Sequence, residues 1–268
     1  MQQRLGPTFH RTFSLIRPGI SHILRTAAEK GRCTKQLLLT ESPLGPIQID
    51  AMLRYAHATR LTDEENKLSA LGRIVWNHDP NLDNQQTLWI LHYHLCSPNT
   101  LAPAYWPLVA TTLFRPETEI SNGDVSRSIA DLYASDTEIK LNDDSISKCA
   151  TALLGCYGND RSMGGLGVLT QTSQGVYMVM EPHFPHTYTF AYLLALFWES
   201  SLHKTVSAHL SIITEALAPI FLASSSVVKQ TLADLQALHC LRVQQRTFPY
   251  QVEKLWISAD DLLPKVYE

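Results

Sequence analysis

The sequence predicts a mainly α protein of the α+β class, with a helical core and two or three winged helix-turn-helix modules that each carry a short β-hairpin. Apolar residues recur at helical spacing along much of the chain. Short apolar runs on either side of polar turns indicate hairpins. The order helix, turn, helix, hairpin occurs at least twice, and the 268 residues, 45% of them hydrophobic, can bury a substantial core.

The first 116 residues are predicted to form an N-terminal helical domain. Proline tolerates the first turn of a helix, so Pro18 is expected near the start of the first helix, and Gly31 is expected to end it. Apolar stripes favour helices over 14–30, 47–59, 63–76, 84–96 and 106–114. A polar segment around 116–123, which contains proline and glycine, marks the expected boundary to a second domain.

The second domain, 124–268, is predicted to contain winged-helix-like modules at about 124–182 and 205–257. The first module has helices over 126–133 and 145–157, then a hairpin with Gly175 near its tip. After a long apolar helix over 188–203, the second module follows the same plan. Its predicted elements are helices over 207–216 and 227–239 and strands over 241–245 and 250–256.

Composition argues against several classes of protein. No apolar run reaches the ~18 residues of a membrane span, and no signal-peptide pattern opens the chain. The five cysteines are scattered and never form a C-x-x-C pair, which disfavours a disulfide framework and a zinc ribbon. We therefore expect a cytoplasmic protein with no membrane contact.

The chain carries no common catalytic or phosphate-binding motif. The glycine-rich run 164–167 precedes a strand and lacks a following Lys-Ser/Thr, so it is interpreted as the start of a hairpin. His92 and His94 lie two residues apart on a predicted helix and would point apart. No catalytic residue, metal ligand or cofactor is assigned. Asp79 and Asp83 could bind magnesium in a nuclease, but a capping role is favoured, with Asp83 or Asn84 at the start of the helix that holds Trp89.

Charge is divided unevenly along the chain. Residues 1–60 carry a net charge of +6, residues 61–160 carry −8, and residues 161–268 carry −1. A basic head suggests an anionic partner. The alternative is that the head packs against the acidic body, and the sequence leaves both interpretations open.

The candidate DNA contacts lie in the first and last helix-turn-helix patterns. Arg and Gln side chains form bidentate contacts with base edges, whereas Lys and Ser suit phosphates. The predicted DNA-binding residues are Gln48, Arg54, Arg60, Ser225, Lys229, Gln230, Arg242, Gln244 and Arg246. The alternative is that these modules serve dimerisation or domain packing.

Three blocks of sequence resemble a known family. The blocks are Phe9–Leu15 with Arg17-Pro18-Gly19, then Leu44-Gly45 with Leu53–Ala56, then Leu71-Gly72 with Asp79–Asp83 and Thr87–His92. Over residues 9–96 they resemble the uncharacterised family called domain of unknown function four thousand and seven. The resemblance implies a companion of bacterial anti-phage defence clusters, especially those near DNA phosphorothioation genes, and implies no catalytic residues. Arg11 and Pro46-Ile47 depart from the family pattern, which weakens any transfer of a nucleic-acid role to those positions.

Together these features predict a non-catalytic DNA-binding or adaptor subunit of a prokaryotic defence system. The expected partners are DNA, with or without a modification, other subunits of the system, and a second copy of the chain in a homodimer. One alternative is an interaction scaffold, motivated by apolar helices that contain Trp89, Trp106 and Trp198. The other is a magnesium nuclease that uses Asp79 and Asp83.

Overall fold

A computed structural model describes residues 3–203, 205–245 and 247–268. Over these ranges the chain is mainly helical and carries two antiparallel sheets of three short strands each, which confirms the predicted mainly α, α+β class. No single described helix is long and apolar enough to cross a membrane. One bent pair, Leu210–Ile220 with Ser225–Ala237, meets that length and composition only when its two helices are taken together.

The N-terminal part of the described chain is helical. Its helices are α1 (Arg17–Lys30), α2 (Lys35–Glu41), α3 (Pro46–Ala58), α4 (Ala70–His78), α5 (Gln85–Cys96) and α6 (Tyr105–Thr112). Pro18 lies in the first turn of α1, and Gly31 ends the helix with a φ of 79°, as the sequence predicted.

The predicted helix over 63–76 is wrong in its first half. Residues 63–68 form a loop that an isolated bridge between Thr62 and Leu68 closes. The Asp63 carboxylate accepts hydrogen bonds from the main-chain N–H groups of Glu65 and Lys67, both at 2.9 Å. Such local bonds compete with a helix, so α4 begins only after this loop.

Two units with the same order of elements follow. The first contains β1 (Glu119–Ser121), α7 (Asn122–Tyr133), α8 (Asp143–Gly158), β2 (Leu169–Ser173) and β3 (Val176–Val179). After α9 (Thr187–Phe197) and a π-helical turn, the second contains β4 (Ser207–His209), α10 (Leu210–Ile220), α11 (Ser225–Ala237), β5 (Leu241–Gln244) and β6 (Gln251–Lys254). In each sheet the last strand lies in the middle, in the orders β1-β3-β2 and β4-β6-β5.

Both predicted hairpins are present, but the sequence did not indicate β1 or β4. The segment taken as a linker over 116–123 contains β1, which pairs antiparallel with β3. The helix expected to begin at residue 207 begins at Leu210, because residues 207–209 pair with β6 instead. A three-residue strand has too few positions to show an alternating pattern, and only its distant partner makes it a strand. The division into domains 1–116 and 124–268 stays a prediction.

The hydrophobic core is one continuous cluster that reaches from Phe9 to Val266. Trp89, Trp106 and Trp198 are fully buried in it. The three tryptophans are therefore core residues, and the scaffold alternative that their helices motivated would need other side chains at its surface.

A directed chain of hydrogen bonds crosses this core. His92 Nε2 lies 2.6 Å from the carbonyl oxygen of Ile220, which can only accept, so Nε2 carries the proton. Nδ1 of His92 therefore accepts a hydrogen bond from the hydroxyl of Tyr157 at 2.8 Å, and that hydroxyl accepts from Nε1 of Trp106 at 3.3 Å. Burial lowers the pKa of His92 to about 4, so the ring is neutral at physiological pH. These four residues join α6, α8, α5 and α10.

Replacing Tyr157 with Phe tests the importance of this chain of hydrogen bonds. The change keeps the ring but leaves Nδ1 of His92 and Nε1 of Trp106 without their partner. We expect the free energy of unfolding, measured by urea denaturation, to fall by about 2 kcal/mol. Tyr177→Phe is the control, since its half-buried hydroxyl forms no described hydrogen bond, and it should change stability by less than about 0.5 kcal/mol. Equal losses in the two variants would contradict a special role for Tyr157.

Candidate nucleic-acid interface

Helix α11 presents one polar side to the solvent. Its opposite side buries Val228, Thr231, Leu232 and Leu235, and Ser224 caps its first turn by accepting a hydrogen bond from the N–H of Val227 at 3.3 Å. The predicted residues Ser225, Lys229 and Gln230 are all exposed. We call the exposed residues Ser225, Ser226, Lys229, Gln230 and Ala233 the α11 face.

A groove adjoins this helix on the β5–β6 hairpin. It has a volume of about 760 Å³. Amide and charged side chains line it, among them Gln236, Arg242, Gln244, Gln245, Gln251 and Glu253. Oε1 of Gln236 accepts a hydrogen bond from the N–H of Val243 at 2.6 Å, which ties the end of α11 to β5. The α11 face and the groove are therefore held together.

Arg242 is the principal described cation of the groove. Its Nη1 lies 3.6 Å from Oε2 of Glu253, on the neighbouring strand β6. The Arg242 side chain is 70% exposed, and such an exposed pair contributes little energy, so the guanidinium stays able to contact an anion. Gln244 follows on the same strand and is also exposed. Arg246, the remaining predicted residue of this hairpin, lies outside the described residues.

The predicted residues of the basic head lie elsewhere. Gln48 and Arg54 are half-buried on α3, and Nη1 of Arg54 donates a weak hydrogen bond to the carbonyl oxygen of Phe9 at 3.5 Å. Arg60 is half-buried in the loop after α3, with a φ of 60°. Burial lowers the pKa of Arg60 and, together with the nearby charge of Arg60, lowers the pKa of His94 to about 3. These three residues are thus on different elements from the α11 face.

The first unit offers a different surface. Its second helix, α8, begins with Asp143 and Asp144, and Lys148 forms an ion pair with Asp144. The exposed residues 171–174 of the β2–β3 hairpin are uncharged. The start of its second helix and the tip of its hairpin therefore present no unpaired cation to a phosphate backbone.

The sequence analysis missed a second group of cations. Arg17 and Arg25 on α1 line one groove together with Arg161, which comes from the loop after α8. The spacing of eight residues between the first two was a usable signal, since residues four apart share a helix face. Only the fold could bring Arg161 beside them.

The sequence model of a family described as a protein of unknown function, DUF4007, matches residues 49–247. The chain belongs to the DUF4007 family.

Two crystal structures share the fold of this DUF4007 chain. They are described as SspB, with a TM-score of 0.72, and as magnesium ion-bound SspB, with a TM-score of 0.71. Each is 19% identical in sequence and covers 97% of this chain, which in turn covers 86% of SspB. No curated protein matches the sequence.

The third motif block of this DUF4007 protein builds the start of α5. Oδ1 of Asp79 accepts a hydrogen bond from the N–H of Asp83 at 2.9 Å. Oδ2 accepts from the N–H of Asn84 at 2.9 Å and from the hydroxyl of Thr87 at 2.6 Å. The hydroxyl of Tyr267 donates to Thr87 in turn, at 2.7 Å. The cap itself is Asn84, whose Oδ1 accepts a hydrogen bond from the N–H of Gln86 at 3.0 Å, as the favoured interpretation predicted, and Asp79 braces the turn that leads into it.

The two acidic residues of the nuclease hypothesis are engaged separately. Asp79 is buried, whereas the exposed carboxylate of Asp83 forms an ion pair with Arg17. Within the described ranges, no group of three or more His, Cys, Asp or Glu side chains is arranged to hold a metal ion.

Replacing Asp79 with Ala should destabilise this DUF4007 protein by about 3 kcal/mol, because three hydrogen bonds to a buried carboxylate are lost at the start of a core helix. Thermal and urea unfolding would measure the loss. Asp83→Ala, in the same loop, breaks only an exposed ion pair and should cost under about 1 kcal/mol. An Asp79→Ala protein as stable as the wild type would show that the three hydrogen bonds to the Asp79 carboxylate contribute little to stability.

Proposed function

We propose that this protein is a non-catalytic DNA-binding or adaptor subunit of a prokaryotic anti-phage defence system in the cytoplasm, and that its second unit contacts the duplex. The observation that carries the proposal is the α11 face, which lies beside a hairpin groove lined by glutamine amides and by the exposed pair of Arg242 and Glu253. The defence context comes from the family resemblance and is part of the proposal.

The order of elements supports an interpretation of both units as winged helices. Each has a strand, two helices and a hairpin, and the first strand pairs with the last. In a helix-turn-helix protein the second helix enters the major groove. That helix would be α8 in the first unit and α11 in the second, with the β2–β3 and β5–β6 hairpins as wings.

Burial distinguishes the two units. Helix α8 buries eight residues, so much of its surface belongs to the core. Helix α11 buries four, and its other side is free for a ligand. Because α8 also begins with two aspartates, the second unit is the better candidate for contact with a polyanion.

The side chains of the α11 face and of the adjoining hairpin groove suit contact with a DNA duplex. Lys229 and Arg242 would bind phosphates and fix the orientation of the module. The amides of Gln230 and Gln244 would read base edges, adenine above all. Nε2 of Gln230 donates to Oδ1 of Asp234 at 3.0 Å, which holds that amide in place. The α11 face and the groove together carry few cations. Contacts of the glutamine amides with base edges must therefore contribute much of the affinity for DNA.

The double variant Lys229→Ala/Arg242→Ala tests this proposal. If both residues contact phosphates, the slope of log affinity against log salt should fall by about 2 for a labelled duplex. Fluorescence anisotropy over a salt series would measure it, with plain and phosphorothioated duplexes to learn whether a modification is read. Lys148→Ala on α8 is the matched control and should behave as wild type. The same slope and affinity in the double variant would refute the α11 assignment.

A second candidate function is docking of a partner protein, including a second copy of this chain. Strand β6 is flanked by exposed apolar side chains, with Phe248 83% exposed before it and Ile257 88% exposed after it. Val206, whose carbonyl oxygen accepts a hydrogen bond from the N–H of Lys254 at the end of β6, is 58% exposed. Large apolar side chains in contact with water are typical of interaction surfaces.

Phe248→Ser/Ile257→Ser tests the homodimer form of this alternative. If the surface pairs two copies, light scattering should find a dimer for the wild type at micromolar concentration and a monomer for the variant. Exposed Leu39→Ser on α2 serves as the control and should leave the dimer intact. A wild-type protein that is monomeric at every concentration would contradict self-association through this surface.

A further inference from the structure

A cationic groove lies on the N-terminal half of the protein, on elements separate from the α11 face. It has a volume of about 430 Å³ and is formed by α1, the loop before α5 and the loop after α8. Its polar lining includes Arg17, Ser21, His22, Arg25, Asn81 and Arg161. Arg17, Ser21 and Arg25 follow one another at intervals of four residues, which places them along one face of α1. We call this site the α1 groove.

Arg17 builds the walls of the α1 groove. Its Nη1 donates to the carbonyl oxygen of Leu82 at 3.1 Å and forms an ion pair with Asp83. Its Nη2 donates to the carbonyl oxygen of Asp160, and its own N–H donates to the carbonyl oxygen of Arg161 at 2.8 Å. One side chain therefore fastens both loops to α1, and its charge is already matched by Asp83.

Arg25 and Arg161 are cations without a carboxylate partner in the described chain. Arg25 donates to Nδ1 of His22 at 2.8 Å and weakly to the main-chain oxygen of Glu41 at 3.5 Å. The Glu41 carboxylate pairs instead with Lys30, at 3.7 Å. The guanidinium of Arg161 is exposed and forms no hydrogen bond with the described residues. The groove thus carries two unmatched positive charges.

His22 adds a directed donor. A guanidinium has no acceptor, so Nδ1 of His22 must accept the hydrogen bond from Arg25, and Nε2 carries the proton. Burial, and then the charge of Arg25, lower the pKa of His22, which keeps this tautomer neutral. The ring is therefore held with its Nε2–H free to donate to a ligand.

We propose that the α1 groove binds a phosphate group through Arg25, Arg161 and Nε2–H of His22. Guanidinium groups match the paired oxygens of a phosphate in geometry as well as in charge. One carboxylate, Asp83, lines the groove, and its charge is matched by Arg17, whereas Asp160 does not line it. A volume of about 430 Å³ exceeds that of phosphate alone and leaves room for an attached sugar. The ligand is therefore a phosphodiester of nucleic acid or a free nucleotide.

The experiment uses the full chain and follows the His22 ring by NMR while inorganic phosphate or 5′-AMP is added. We expect the His22 signals to shift and the pKa of His22 to rise, since an adjacent anion stabilises the imidazolium. Arg25→Gln/Arg161→Gln should abolish both changes. Arg115→Gln, an exposed arginine outside the groove, is the charge-matched control. Arg161→Gln alone removes a side chain with no described contact, so its effect cannot come from misfolding.

A labelled duplex distinguishes the two sources of phosphate. For a phosphodiester, Arg161→Gln should lower duplex affinity about eightfold at 0.1 M salt and reduce the salt slope by about 0.9. For a free nucleotide, the variant Arg25→Gln/Arg161→Gln should lose 5′-AMP binding and keep the duplex affinity of the wild type. The proposal is wrong if neither phosphate nor 5′-AMP shifts the His22 signals and if the slope of log duplex affinity against log salt is the same in the wild type and in Arg25→Gln/Arg161→Gln. If Lys229→Ala/Arg242→Ala loses duplex binding but its His22 signals still respond to phosphate, the α11 face binds the duplex and the α1 groove binds phosphate independently.

Discussion

The neutral imidazole of His92 is the constraint on which the arrangement of this protein depends. The ring is fully buried, and both of its nitrogens are bonded in a fixed direction, from Tyr157 and toward the carbonyl oxygen of Ile220. Tyr157 belongs to the first unit and Ile220 to the second, so one side chain of α5 fixes both. In a protonated ring both nitrogens would donate, so the hydrogen bond with Tyr157 would have to reverse its direction. The hydrogen bond to Ile220 fixes the end of α10, and α11 packs against α10. The position of α11 therefore depends on this buried contact.

The two units show how one order of elements can serve two purposes. In the first, the second helix is drawn into the core and its exposed start is acidic, which makes the unit part of the body of the protein. In the second, the matching helix packs on one side only and keeps a polar face. The opposite charges of head and body noted in the sequence are partly resolved by contact, as in the ion pair of Arg17 in the head with Asp83 in the body. The α1 groove keeps two cations, Arg25 and Arg161, without a described carboxylate partner.

The sequence predicted elements whose signals are local. The hairpin around Gly175, the end of α1 at Gly31 and the cap of α5 at Asn84 all follow from residues close together in the chain. It did not predict β1, β4 or the loop over 63–68, because these depend on distant partners or on one side chain that outcompetes a helix. Exposed site residues such as Lys229 were placed correctly on a surface, whereas Arg54 and Arg60 are partly withdrawn by packing that no local pattern records. The α1 groove needed Arg161, 136 positions after Arg25.

The burial of the tryptophans has a spectroscopic consequence. Trp89, Trp106 and Trp198 are enclosed, and Trp256 packs edge-on against Trp198 with ring centroids 5.7 Å apart. None of them lines the α11 face or the α1 groove. The emission of these four tryptophans therefore reports the integrity of the interior and is insensitive to occupancy of either surface, whereas the fifth, Trp76 on α4, is half-buried. A shift in the emission of these buried tryptophans on adding a ligand would show that the interior had repacked. A binding titration followed by this emission would therefore detect internal rearrangement.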